Sequence, residues 1–169
     1  MDTELNELPQ SLINILPAKG TVLKDSDKIN TIPSNVSSRH KAIILKYYLN
    51  NIKTSVELFG QKLDIDPGTL FVVSSPLFCS GEKLSSKALT FVKKWNRSRS
   101  TLCPIPTLSV AKSHRDPGKY EFTISQKLQK GNHTNMINET LLIDEDELLD
   151  FLELFAYVSV VEIKGRKLW

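Results

Sequence analysis

Residues 81–119 carry nine Lys and Arg against two acids, Glu82 and Asp116, a local net charge of +7. The dense part is Lys83, Lys87, Lys93, Lys94, Arg97 and Arg99, with Trp95 among them. Cations at this density neutralise phosphates, and an indole between them can stack on a base or settle at a lipid headgroup. The same pattern also describes an amphipathic helix whose cations are merely solvated and whose Trp95 belongs to the core. Leu84, Ala88, Phe91, Val92 and Trp95 fall on one stripe at helical spacing, with Lys87, Lys93 and Lys94 off it. The segment therefore reads as a helix capped by Ser85 or Ser86 and running to about Trp95, with Asn96-Arg97-Ser98-Arg99-Ser100 and Pro104-Ile105-Pro106 ending it. Residues 93–99 also resemble a nuclear import signal.

A segment of opposite sign follows. Residues 139–163 hold eight acids and no Lys or Arg. A chain polarised in this way offers one surface to polyanions and another to basic partners or to a second copy of itself. Asp144 with Glu147 three positions on has the form of a capping box, and acids in a first turn suit the helix dipole. Leu148, Phe151, Leu152 and Phe155 supply the buried stripe of that helix. Capping and solvation explain these carboxylates better than general acid-base catalysis, which needs burial or a like-charge neighbour in a cleft.

The remaining chemistry is sparse. The seven glycines form neither a dinucleotide fingerprint nor a P-loop, and no H-E-x-x-H, G-x-S-x-G or C-x-x-C occurs. His40, His114, His133, Cys79 and Cys103 contain no closely spaced ligand pair, so neither a metal nor a cofactor is expected. Two cysteines 24 residues apart suit reduced, buried thiols better than a disulfide framework. The acidic N-terminus has no apolar h-region, and no apolar run approaches the roughly 18 residues that span a bilayer. The four N-x-S/T matches, at Asn35, Asn96, Asn132 and Asn138, are then expected to be unglycosylated.

With 169 residues, 40% of them hydrophobic, and a net charge of +3, the chain suits one core rather than two. The reading is an α+β fold, a single compact domain with a mixed antiparallel sheet and two or three helices over residues 39–169. Residues 1–38 contain Pro9, Pro17 and Pro33 and no sustained period, and read as a flexible N-terminal arm. Within the arm lies an apolar knot of Leu12, Ile13, Ile15 and Leu16 around Asn14. It either packs back on its own domain or docks into a neighbouring copy, so these four residues are the candidate self-association site. Residues 42–59 fit both a helix ended by Gly60 and strands turning at Asn50-Asn51, with β-branched and aromatic content favouring strand. Asp66-Pro67-Gly68 is a turn by its chemistry and residues 70–73 a buried strand. Residues 119–128 alternate as a strand, 129–138 read as a polar loop, and 157–163 as a strand turning at Lys164-Gly165 into a short return.

The order Lys119-Tyr120-Glu121-Phe122-Thr123-Ile124, polar loop, Leu148-Leu149-Asp150-Phe151-Leu152-Glu153-Leu154-Phe155, then Tyr157 to Trp169 resembles the C-terminal part of rhabdovirus matrix proteins. The likeness covers about 50 residues. The short chain is more similar to the plant-infecting cytorhabdovirus branch. That resemblance implies a non-enzymatic viral structural protein that condenses a nucleocapsid beneath its envelope. It further implies self-association through an N-terminal segment, contact with a nucleocapsid or RNA, and peripheral attachment to an anionic membrane. Virion and host cytoplasm would be its locations. Residues 1–38 lack P-P-x-Y and P-[ST]-A-P motifs and are not basic, so membrane attachment would fall to residues 83–99. The rival readings are a small basic nucleic-acid-binding accessory protein of a virus, such as a single-strand binder, silencing suppressor or movement protein, and an enzyme without a familiar motif.

Overall fold

The computed structural model describes residues 3–24, 26–65, 71–73, 75–77, 84–102, 104–113, 115–157, 160–163 and 165–169. The chain folds as an α+β domain. A 3-10 turn (Thr3–Glu7) and the one-turn helix α1 (Gln10–Ile13) precede β1 (Val22–Leu23), α2 (Ser38–Asn51), β2 (Lys53–Leu58), β3 (Gln61–Ile65) and β4 (Phe71–Val73). Then come α3 (Ser86–Thr101), β5 (Thr107–Lys112), β6 (Lys119–Lys130), β7 (His133–Asp144), α4 (Glu145–Leu152), a 3-10 turn (Glu153–Tyr157), β8 (Glu162–Ile163) and β9 (Arg166–Lys167). The larger sheet has the order β7-β6-β5-β4-β8-β9 and is antiparallel throughout. A smaller sheet, β1-β2-β3, pairs β1 with β2 in parallel and closes β2 on β3 as a hairpin.

The core lies on one face of the larger sheet. Alternation along β6 buries Tyr120, Phe122, Ile124 and Gln126 on that face. Phe122 meets Phe151 of α4 at 4.3 Å between ring centroids and Phe155 of the following turn at 5.9 Å. Leu148, Phe151, Leu152 and Phe155 are all fully buried, the stripe that the acidic helix's spacing requires. Each such side chain contributes about 1.5–3 kcal/mol by leaving water.

Residues 42–49, which read as strand, are instead the middle of α2. Ser37 caps it, its Oγ accepting from the His40 N–H at 3.2 Å. Every residue of α2 from Lys41 to Leu49 is buried. A helix enclosed on all sides has no polar stripe, so neither period dominates its sequence and packing overrides β-propensity. The helix runs through Asn50 and stops at Asn51, and β2 follows from Lys53 to Leu58, so neither a helix ended by Gly60 nor strands turning at Asn50-Asn51 describes residues 42–59.

The larger correction concerns residues 1–38. The described residues 3–24 and 26–38 do not stand away from the domain as an arm. Leu8, Leu12, Leu23 and Ile32 are buried, and Leu5, Ile13, Ile15 and Leu16 pack against the same core. The Tyr47 hydroxyl donates to the Pro17 carbonyl, Asn30 Nδ2 donates to the Ile15 carbonyl at 3.0 Å, and the Ile32 N–H donates to the Leu168 carbonyl at 2.7 Å. Lys46, within α2, reaches Glu4 at 2.8 Å and Glu145 at 3.6 Å. The hydrogen bond to Lys46 is the main reason Glu4 titrates below the ordinary glutamate range. Burial works against the Lys46 charge, but Glu4 and Glu145 outweigh it and hold the ammonium's pKa above its usual value. Proline-rich sequence without a period is here a wrap that completes the core, its apolar residues spaced too irregularly to read.

Residues 129–138, which read as a loop, are the tip of a hairpin. Gly131 at φ +60 occupies the first of the two turn positions, and β6 and β7 pair in unbroken register from Lys119↔Asp144 to Lys130↔His133. Pairing rather than burial makes this part of β7 a strand, which is why its sequence shows no alternation of hydrophobicity. Between Tyr157 and Ile163 the described strand is only Glu162–Ile163, and Val158 and Ser159 lie outside the described residues. Lys164 and the Asp66-Pro67-Gly68 turn also lie outside them.

Candidate functional site

The basic candidate site is built on α3. Ser85 is its cap, the Oγ accepting from the Ala88 N–H at 3.3 Å. Glu147 of α4 accepts from the Ser85 N–H at 2.8 Å, so the carboxylate that the sequence assigns to a capping box in its own helix serves the start of another. Asp144 makes no side-chain cap bond to α4. An acid at the positive end of α3 suits its dipole.

Ala88, Phe91, Val92 and Trp95 form the buried face of α3. The helix continues past Trp95 to Thr101, beyond the end that Asn96 and the serines suggest. Asn96 does not break it because its amide is used outward: Oδ1 accepts from the Leu77 N–H at 2.9 Å and Nδ2 donates to the Leu77 carbonyl at 2.8 Å. Ser100 and Thr101 hydroxyls donate to the Arg97 carbonyl.

This geometry divides the basic cluster. Lys87, Lys93, Lys94 and Arg97 are all exposed on the outer face of the helix. Trp95 is not with them. It is fully buried and its indole N–H donates to the Ser75 carbonyl at 3.1 Å, so it cannot stack on a base or reach a headgroup without unfolding the helix. Arg99 is half-buried and engaged within the chain. Lys83 lies outside the described residues. Of the exposed four, Lys94 is held by Glu139 of β7 at 2.5 Å, while Lys87, Lys93 and Arg97 make no ion pair with any described residue. Two apolar residues stand exposed just past the helix, Leu102 at 42% and Ile105 at 58%. The sequence offers a signal for them in two apolar residues among Thr, Ser and Pro directly after a basic run.

The acidic run does not form a matching docking face. Asp144 faces Lys119 at 3.6 Å, Glu145 faces Lys46, Glu139 holds Lys94, Glu147 caps α3, and Glu153 lies 3.9 Å from Arg39. Much of the charge that suggests a basic partner is therefore used inside the chain. The knot residues Leu12, Ile13, Ile15 and Leu16 pack back on their own core, Leu12 buried and the other three half-buried, which is the first of the two alternatives the sequence leaves open.

Among the described residues no three of His, Cys, Asp and Glu are grouped to hold a metal ion. Cys79, Cys103 and His114 lie outside them. Two further groups with shifted pKa values lie in the packed interior. Burial pushes the Tyr48 hydroxyl up to about 12 and pushes the Lys41 ammonium down where it lies 5.2 Å above the Trp169 ring. No described helix is long and apolar enough to cross a membrane. Compared with protein-family models, with curated proteins and with solved structures, the chain finds no match.

Proposed function

We propose that this is a structural protein of the matrix type that binds an anionic membrane surface peripherally through the outer face of α3. One observation carries the reading. A single helix face presents Lys87, Lys93, Lys94 and Arg97 to solvent and ends at exposed Leu102 and Ile105. Cations beside a small apolar group suit the interface of an anionic bilayer, where each nearby Lys or Arg contributes roughly 1 kcal/mol. The three cations that make no ion pair among the described residues give about 3 kcal/mol before any apolar contribution, enough for reversible attachment and too little for anchoring. Burial of Trp95 weakens the rival reading as a single-strand binder, since it takes the one aromatic of the cluster away from stacking. The resemblance to rhabdovirus matrix proteins, over residues 119–169, supports a role in virion assembly, with a nucleocapsid as the other partner.

The test is co-sedimentation of the full chain with vesicles of phosphatidylcholine alone and with added phosphatidylserine, each with and without a single-stranded RNA competitor. The reading expects binding only to the anionic vesicles and a loss when Leu102→Ser and Ile105→Ser are combined. Binding to RNA with indifference to both vesicles would replace it with the nucleic-acid reading.

A further inference from the structure

The sheet edges of this protein differ in how they are protected. β9, at one end of the larger sheet, is two residues long and cationic, and Arg166 is tied down by donating to the Asp27 and Lys24 carbonyls. β1 is also two residues long. β3 is five residues long and carries Lys62 and Asp64. β7, the other end of the larger sheet, is twelve residues long. It has no proline, no Lys or Arg and no break in register, the devices that usually blunt an edge. Between His133 and Thr140 its only carboxylate is Glu139.

The turn fixes which backbone groups face outward. In a two-residue hairpin the pair flanking the turn, here Lys130 and His133, is hydrogen-bonded, and bonded pairs then alternate. Residues 133, 135, 137, 139 and 141 therefore point their N–H and C=O groups at β6. Thr134, Met136, Asn138 and Thr140 point theirs away from it, where no described backbone group or side chain hydrogen-bonds them. All four are exposed.

We propose that β7 pairs antiparallel with β7 of a second copy, joining two six-stranded sheets across a twofold axis at Met136. A strand is its own partner in this geometry, because an antiparallel twofold pairs each outward residue with another outward residue. The position of the axis follows from charge and side-chain type. With Met136 on the axis, the 55% exposed thioether chains of the two copies lie against each other, Thr134 faces Asn138, and Glu139 faces His133. An axis at Glu139 would instead set two carboxylates directly opposite, which is destabilising. This contact replaces the N-terminal knot as the link between copies. Apart from Lys94, already paired with Glu139 at 2.5 Å, it involves no residue of α3, so it stands or falls separately from the membrane reading.

The experiment uses the full chain carrying Cys79→Ser and Cys103→Ser, with Met136→Cys or Thr134→Cys added, under mild oxidation. Residues directly opposite in a bonded antiparallel pair have Cα atoms about 5.5 Å apart, inside the disulfide range of roughly 4.4–6.8 Å. Met136→Cys is expected to give a reducible dimer. Thr134→Cys is expected to give no covalent dimer, since its twin lies four residues along, about 14 Å away. Without added cysteines, sedimentation velocity should show a concentration-dependent dimer weakened at least tenfold by Asn138→Pro, which removes an outward N–H and the Asn138 side chain but no N–H that bonds β6. Unchanged circular dichroism in that variant confirms that the hairpin survives. Equal cross-linking at both positions, a monomer at high micromolar concentration, or a folded Asn138→Pro variant that dimerises like the parent would each overturn the proposal.

Discussion

Replacing Leu12 with Ala tests whether the N-terminal segment is part of the core. Leu12 is 6% exposed in α1 and shares the core cluster with α2. Leu→Ala costs about 2–5 kcal/mol where the site cannot collapse. A four-residue helix at the wall of the core can relax, so the lower part of that range, about 2–3 kcal/mol, is expected. For a chain of this size 1 kcal/mol moves Tm by about 2–4 °C, which gives a fall of roughly 4–12 °C. The exposed neighbour Ser11 supplies the control, with Ser11→Ala expected to leave Tm in place. Thermal melts at two protein concentrations complete the assay, because a contact within one chain gives a shift independent of concentration and a contact between copies does not. An unchanged Tm, or a shift that grows as the protein is concentrated, would refute the packing described for residues 3–38.

Phe151→Ala should cost about 3–5 kcal/mol, since it empties the space between Phe122 and Phe91, whereas Glu153→Ala gives up only a 3.9 Å pair with Arg39 and should cost under about 1 kcal/mol; denaturant titration reads both. Phe59→Asn should stabilise the protein by about 1 kcal/mol, because Phe59 is fully exposed at φ +52 beside Gly60, in a turn whose two positive φ angles suit Asn-Gly. A lower denaturation midpoint for that variant would contradict it. The depressed Glu4 carboxyl adds stability that is full above the ordinary glutamate pKa of about 4.3 and is lost as pH falls through its lower folded value. Melts taken across that acid window should therefore show a loss of Tm that Glu4→Gln reduces.

The parts of this fold legible in sequence are those where one face is wet and the other dry. The stripes of α3 and α4 and the alternation of Tyr120, Phe122 and Ile124 are of this kind. The buried middle of α2, Lys41 to Leu49, and the exposed tip of β7 escape because burial does not vary along them with either period. The wrap of residues 3–38 escapes because its buried apolar residues sit on pieces too short to show a period: Leu8 after a 3-10 turn, Leu12 in one-turn α1, Leu23 in two-residue β1, and Ile32 held by its bond to Leu168. At the candidate site the helix spacing correctly separates Lys87, Lys93 and Lys94 from the core stripe. It also places Trp95 on that stripe, which favours the core over the ligand surface. What spacing cannot supply is pairing at long range. That Glu139 holds Lys94 and Glu147 caps α3 depends on the sheet bringing residues 45 and 62 positions apart together.

The membrane reading of α3 is tested most directly by vesicle binding of the Lys87→Glu, Lys93→Glu, Arg97→Glu triple variant against the parent, on phosphatidylserine-containing vesicles across a salt series. Losing three cations removes about 3 kcal/mol, so affinity at low salt should fall at least roughly 100-fold while circular dichroism and Tm hold, and the parent's binding should weaken steeply as salt rises. A folded triple variant that binds as tightly as the parent, or parent binding indifferent to salt, would contradict the account.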